Sequence, residues 1–216
     1  MTHHSEPRLL ALHAVRVLGF ADTPVIAEHA ALTLGDATDL LQEAEHHGWV
    51  QHSSFADLAG WSLTDEGKAE NERLLAAERD IVDPDGRITG AYQAFLPLNA
   101  RLLRAVTDWQ LAPTTADALA PNDHSDKDRD GGILIELGAL NQALAPLVAT
   151  LSEVLARFDG YAERFDAALN KAKEGHHQWI DRMDVDSCHR VWFQLHEDLI
   201  ATLGIDRGGE NITRTA

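Results

Sequence analysis

Cysteine is almost missing from this chain. The single Cys188 excludes an internal disulfide and suits a reducing compartment, so a cytoplasmic location is expected. Long unbroken apolar runs are missing too. None approaches the roughly 20 residues that span a bilayer, and the opening MTHHSEPRLL lacks the basic-then-apolar pattern of a secretory leader. No membrane partner is expected. Positive charge is scarce: 18 Lys and Arg stand against 35 Asp and Glu, a net charge of −17. Such a balance favours cationic partners and repels polyphosphate backbones and anionic membranes. The shortage is sharpest between Arg16 and Lys68, where fifty-one residues hold no Lys or Arg and nine Asp or Glu. Also lacking are a glycine-rich phosphate loop, a GxGxxG turn and a Ser-His-Asp order, so no catalytic machinery is recognisable.

What is present is ordinary globular material. The 216 residues are enough for one large or two small domains, and 44% hydrophobic content can supply a core. Leu9, Leu12, Val15 and Leu18 recur at helical spacing before Gly19. Thr23-Pro24 reads as the N-cap and first turn of a second helix reaching Ala30. Ala37, Leu40, Leu41 and Ala44 place a stripe on a third helix, ended by Gly48. The extended runs WVQHS and GWSLT, joined by SFADLAG, form a β-hairpin, and Thr64 caps a fourth helix whose first residues are Asp65 and Glu66.

Pro84 and the Asp85-Gly86 turn suggest a hinge, giving a first domain over 1–83 and a second over 84–216. Everything after it reads helical. Ile88, Tyr92, Phe95, Leu102, Val106 and Trp109 share one helix face, with a kink expected at Pro97. A polar loop, APTTADALAPNDHSDKDRDGG, is expected to end at a helix starting near Gly132. Leu137, Leu140, Leu144, Leu147, Leu151, Val154 and Phe158 then alternate steps of three and four. This seam is either internal core or the interface of a homodimer, and Pro146 should bend it. Helices around 160–173, 176–183 and 187–203 complete a bundle. The expected fold is mainly α: a winged helix-turn-helix domain (three helices plus a β-hairpin wing) followed by an α-helical bundle.

The stretch GWVQHS…GWSLTDEGKAENERLL, with its W-x-L-T-x-x-G, resembles the wing and following helix of MarR-type regulators. TDWQLAP…PNDHSD, GHHQW and DSCHRVWFQLHEDLIATLG resemble the C-terminal helical domain of actinobacterial MarR-like proteins. Similar segments are associated with phosphoenolpyruvate-utilising phosphotransferases of the pyruvate phosphate dikinase type. The resemblance implies architecture more firmly than activity.

Four groups of residues carry candidate chemistry. The outward face of the third helix offers Asp39, Gln42, Glu43 and His46, and the hairpin tip offers Phe55 beside Ala56 and Asp57. Asp39, Glu43, His46 and Phe55 are thus candidates for a protein interface. Non-specific DNA affinity comes from cations neutralising phosphates, and guanine is usually read by Arg. Residues 1–80 carry 14 acidic and 5 basic side chains, so the charge opposes DNA although Gln42 could read adenine. Tyr92, Asn99, Trp109, His124, Trp179, His189, Trp192 and His196 are candidates to line a pocket for a small apolar ligand; plain core packing is the alternative. His189 and His196, seven residues apart, share one face and raise zinc or acid–base chemistry, without the spacing of an HExxH pair. DKDRDG places Asp126, Asp128 and Asp130 as in the start of a calcium loop, but the twelfth position is Leu137, with Glu136 one step early. No cofactor is expected, with calcium at 126–136 a weak alternative to a solvated loop.

Three functions follow. The first is a non-catalytic accessory or regulatory protein that uses an acidic winged helix for protein contact, a phosphoenolpyruvate-dependent phosphotransferase being the partner suggested by the resemblance. The second is a ligand-responsive, dimeric MarR-like DNA-binding regulator. The third, a metal- or histidine-dependent enzyme, rests on scattered His and Asp alone.

Overall fold

A computed structural model describes residues 2–55 and 58–205. Among the described residues the chain is mainly helical, with one small antiparallel hairpin. It groups into two compact units. The first comprises residues up to Gly86, Glu153–Arg157 and the chain from His196; the second comprises Arg87–Ser152 and Phe158–Leu195. The sequence reading put 153–157 and 196–205 with the bundle, after the hinge.

In the first unit, α1 (Pro7–Leu18), α2 (Thr23–His29) and α3 (Leu34–His46) precede β1 (Val50–Phe55), β2 (Leu58–Leu63) and α4 (Asp65–Val82). The apolar stripes expected for α1 and α3 meet: Leu12, Val15, Ile26, Leu41, Val50 and Trp61 form one buried cluster. Gly19 and Gly48 both take positive φ after their helices, as a chain reversal at a helix end requires. The cap of α2 differs from expectation. Asp22, not Thr23, accepts from the Val25 N–H at 3.0 Å. The Thr23 hydroxyl instead accepts from the Trp61 indole at 2.9 Å, an acceptor role set by a contact 38 positions away.

The hairpin is longer than the two runs suggested, because Phe55 pairs with Leu58 across it. Ala56 and Asp57 lie outside the described residues. Ala21 adds a further antiparallel bridge to β2 through Trp61. A Cβ on Gly60 would stand 2.8 Å from the Ala21 oxygen, so this bridge needs the glycine.

Arg157 is buried in the first unit among carboxylates. It donates to Glu78 and to the hydroxyls of Ser5 (3.1 Å) and Thr202 (2.8 Å), and lies 3.4 Å from Asp198. His13 Nε2 stands 2.9 Å from the same Asp198 oxygen. Arg157, Asp198 and Thr202 therefore explain why 153–157 and 196–205 group with the first unit.

In the second unit, α5 (Arg87–Gln110), α6 (Lys127–Ser152) and α7 (Tyr161–Lys173) pack in succession, followed by α8 (Gln178–Asp181) and the first half of α9 (Cys188–Leu203). The α5 face buries Ile88, Tyr92, Phe95, Leu102, Val106 and Trp109, as its periodicity predicts. Both α5 and α6 remain helical through Pro97 and Pro146. Of the seam, Leu137, Leu140, Leu144, Leu151 and Phe158 are buried in this unit and Leu147 is half-buried, while Val154 is buried in the first unit, so the seam residues serve as core within the single chain.

Two expectations change at α6. The helix begins five residues before Gly132. Asp126 accepts from the Arg129 N–H at 3.0 Å, and Asp128 and Asp130 sit in the first turn, at the positive end of the helix. Capping and dipole thus outweigh the poor propensity of Gly131 and Gly132. Moreover, α6 is long and apolar enough, by length and composition, to cross a membrane, with an 18-residue window of mean hydropathy 1.5. No unbroken apolar run marks it in the sequence, because Glu136, Asn141 and Gln142 interrupt it.

Candidate functional site

The outward side of α3 is acidic, as expected. Asp39, Gln42, Glu43, Glu45 and His46 are exposed, while Ala37, Leu41 and Ala44 face the core. Glu43 is not free, because Arg8 pairs with it. That guanidinium also lies 5.7 Å from the Trp49 ring, on which His47 stacks at 4.5 Å. Glu45 lies within reach of the His52 N–H at 3.4 Å. Asp39 has no hydrogen-bond or ion-pair partner among the described residues. On the hairpin, the cross-strand neighbours Phe55 and Leu58 are 84% and 68% exposed. An acidic helix face, with Arg8 paired to its Glu43, thus accompanies an apolar hairpin end, and neither element carries a Lys or Arg of its own.

The second unit holds a polar cluster around His124. Asn122 donates to the Trp109 carbonyl (3.0 Å) and to Asp130 Oδ1 (3.2 Å), and its own amide oxygen accepts from the His124 N–H at 3.1 Å. This grip holds His124 at φ 59°, in the left-handed region. His124 Nδ1 stands 3.2 Å from Asp130 Oδ1. The same Nδ1 lies 3.3 Å from the Asn122 amide nitrogen, so carboxylate and amide together fix the ring. The imidazole lies against Trp109 at 4.3 Å, and His177 approaches the same indole edge-on at 5.1 Å. Asp130 is buried, and its Oδ2 has no hydrogen-bond partner. The arrangement presents an oriented imidazole beside a buried carboxylate, a geometry that can hold a hydrogen-bonding ligand.

The remaining predicted residues do not join this cluster into one pocket. Trp192 is buried against Phe95 (4.9 Å) and Phe165 (5.6 Å), and its indole donates to Asn99 Oδ1 at 3.0 Å. Asn99 is therefore a half-buried, internally bonded amide, and Tyr92 is buried in the α5 stripe. Trp179 is half-buried beneath the ammonium of Lys171, 3.5 Å from its ring. His189 and His196 are both half-buried on α9. Burial lowers the His189 pKa, opposed by Asp181. Burial pushes the Cys188 thiol up to about 12, which removes thiolate chemistry near neutral pH. Asp126, Asp128 and Asp130 stand on the opening turn of a helix rather than on a ligand loop, with Asp126 used as cap and Asp130 turned to His124. Among the described residues no three His, Cys, Asp or Glu side chains converge in a way that could hold a metal ion.

Sequence reasoning singled out Trp109, His124 and Asp130, but as members of two different sites. Asn122 went unremarked, although the spacing in NDHSD places it two residues before the histidine it holds. Compared with family models, curated proteins and solved structures, the chain matches none.

Proposed function

We propose that the first unit is a winged-helix module that docks a protein, within a cytoplasmic, non-catalytic accessory or regulatory protein. The observation that carries this reading is the exposed α3 face and hairpin, which hold Asp39, Glu43, Glu45 and Phe55 and no Lys or Arg. A duplex bound there would place carboxylates against phosphates, with Arg8 already paired to Glu43 and no Lys or Arg on the helix or hairpin to offset them. The order of three helices, hairpin and helix, with the extra bridge at Ala21, supports the winged-helix assignment. The exposed Phe55–Leu58 pair fits an interface whose centre is apolar and whose rim is polar. A phosphoenolpyruvate-utilising phosphotransferase is the partner suggested by the sequence resemblance, and the helical second unit is the place for a small ligand.

The competing reading is a MarR-like DNA-binding regulator, favoured by the same element order. Gel-shift titration with the upstream region of its own gene separates the two. At about 50 mM salt, where phosphate contacts are strongest, the protein should leave this DNA unshifted. It should instead co-purify with the phosphotransferase, and Phe55→Asp should abolish that association without altering the fold. A salt-sensitive DNA shift would overturn the proposal in favour of the regulator.

A further inference from the structure

The groove between α5 and α6, within the second unit, gathers three arginines in a chain of net charge −17. It encloses about 350 Å3, the size of a small-molecule site. Arg101 and Arg104 enter from neighbouring turns of α5, and Arg129 from the first turn of α6. Their states differ. Arg101 is closed off by Glu136, to which it donates twice, at 2.7 and 3.1 Å. That pairing holds the Glu136 carboxyl below its ordinary range, with a further contribution from the Arg104 charge.

Arg129 spends Nη2 on the carbonyls of Asp108 (3.0 Å) and Leu111 (2.7 Å), at the end of α5 where carbonyls lack helical partners. Its Nε is buried with no acceptor in the protein. Arg104 has no hydrogen-bond or ion-pair partner among the described residues. Against Asp108 and Glu136, the three guanidinium groups leave the groove one positive charge in excess. The floor is apolar, made by Ala105 and Ile133. At Gly132 nothing stands within 4 Å of the position a Cβ would take, so the groove is open there.

We propose that this groove binds a small organic monoanion, a carboxylate with a short apolar body. Arg104 supplies the unmatched charge, and the apolar portion lies over Ala105, Ile133 and Gly132. A guanidinium fork matches a planar carboxylate. The single excess charge suits a monoanion better than a phosphate dianion, which would leave negative charge beside Asp108 and Glu136. The site lies in the second unit and is independent of the docking face on α3 and the hairpin.

The experiment is calorimetric titration of the full chain, in low-chloride buffer, with benzoate and butyrate. Benzamide serves as the uncharged control and inorganic phosphate as the competing anion. Saturable carboxylate binding is expected with a Kd of about 1 mM or tighter, and benzamide should bind at least about tenfold more weakly. Arg104→Gln should weaken benzoate binding by about tenfold. Gly132→Leu should abolish it while the Tm stays level or rises, because the new side chain enters open space and Leu is the better helix former. Absence of saturable carboxylate binding, equal binding of benzamide, tighter binding of phosphate, or retention of benzoate by both variants would overturn the proposal.

Discussion

Gly67 shows how much a single position can carry. It closes the W-x-L-T-x-x-G stretch, and a Cβ there would fall 1.7 Å from the Trp49 carbonyl oxygen. Three residues earlier, the Thr64 hydroxyl accepts from the Gly67 N–H at 3.0 Å and donates to the Gly48 carbonyl at 2.6 Å. The two residues thus seat α4 against the turn between α3 and β1. Gly67→Ala should cost about 3 kcal/mol, since main chain must move to admit the methyl group. Thr64→Ala should cost about 1 kcal/mol, the value of a lost cap. Urea unfolding of both variants measures the difference; equal losses would mean that the close approach at Gly67 is relieved without cost. His124 illustrates the same dependence on neighbours, because its ring orientation comes from Asn122 and Asp130 and its stacking from Trp109.

Among the elements, the periodic helices were the most legible. The α5 and α6 stripes follow from alternating steps of three and four, and the structure buries them except at Leu147, which is half-buried. The start of α6 was not legible, because DKDRDG has two physical solutions. As a loop its aspartates would face one cation; as a helix they cap and favour the N-terminus. The two glycines argue for the loop, while Asp126, Asp128 and Asp130 at the positive helix end argue for the helix, and the helix is what forms. Asp126→Ala should therefore lower stability by about 1 kcal/mol, whereas Asp126→Asn, which keeps an accepting oxygen, should be nearly neutral. Chemical denaturation of the two variants is the check, and a large loss in both would assign Asp126 a role beyond capping.

At the scale of the whole molecule, the buried Asp198 and the half-buried His189 make stability depend on pH in the same direction. Burial opposes ionisation of Asp198, but the charges of His13 and Arg157 outweigh it and hold the carboxyl below its ordinary value. Its contribution is complete above the unfolded value near pH 4 and is lost as pH falls through the lower folded value. His189 is lowered by burial, opposed by Asp181. The unfolded chain therefore takes up its proton first, and stability declines below about pH 6.5. Urea midpoints should fall in two stages on acidification. His189→Gln should remove the first stage and Asp198→Asn the second, and a profile unchanged by either variant would reject the assignment.

The sequence alone determined the quantities that are local or additive. Net charge, the cation-free stretch from 17 to 67 and the helical stripes need no knowledge of what packs on what, because charge sums and periodicity is read along one strand of chain. The tertiary structure alone decided which polar residues meet. Nothing local in Arg157 announces Glu78, Ser5 and Thr202; in Asn99, the indole of Trp192; or in Arg129, the carbonyls that end α5. Those pairings join residues from 18 to 152 positions apart, and a buried hydrogen-bonding group takes its partner from whatever the packing brings within about 3 Å, not from its neighbours in sequence.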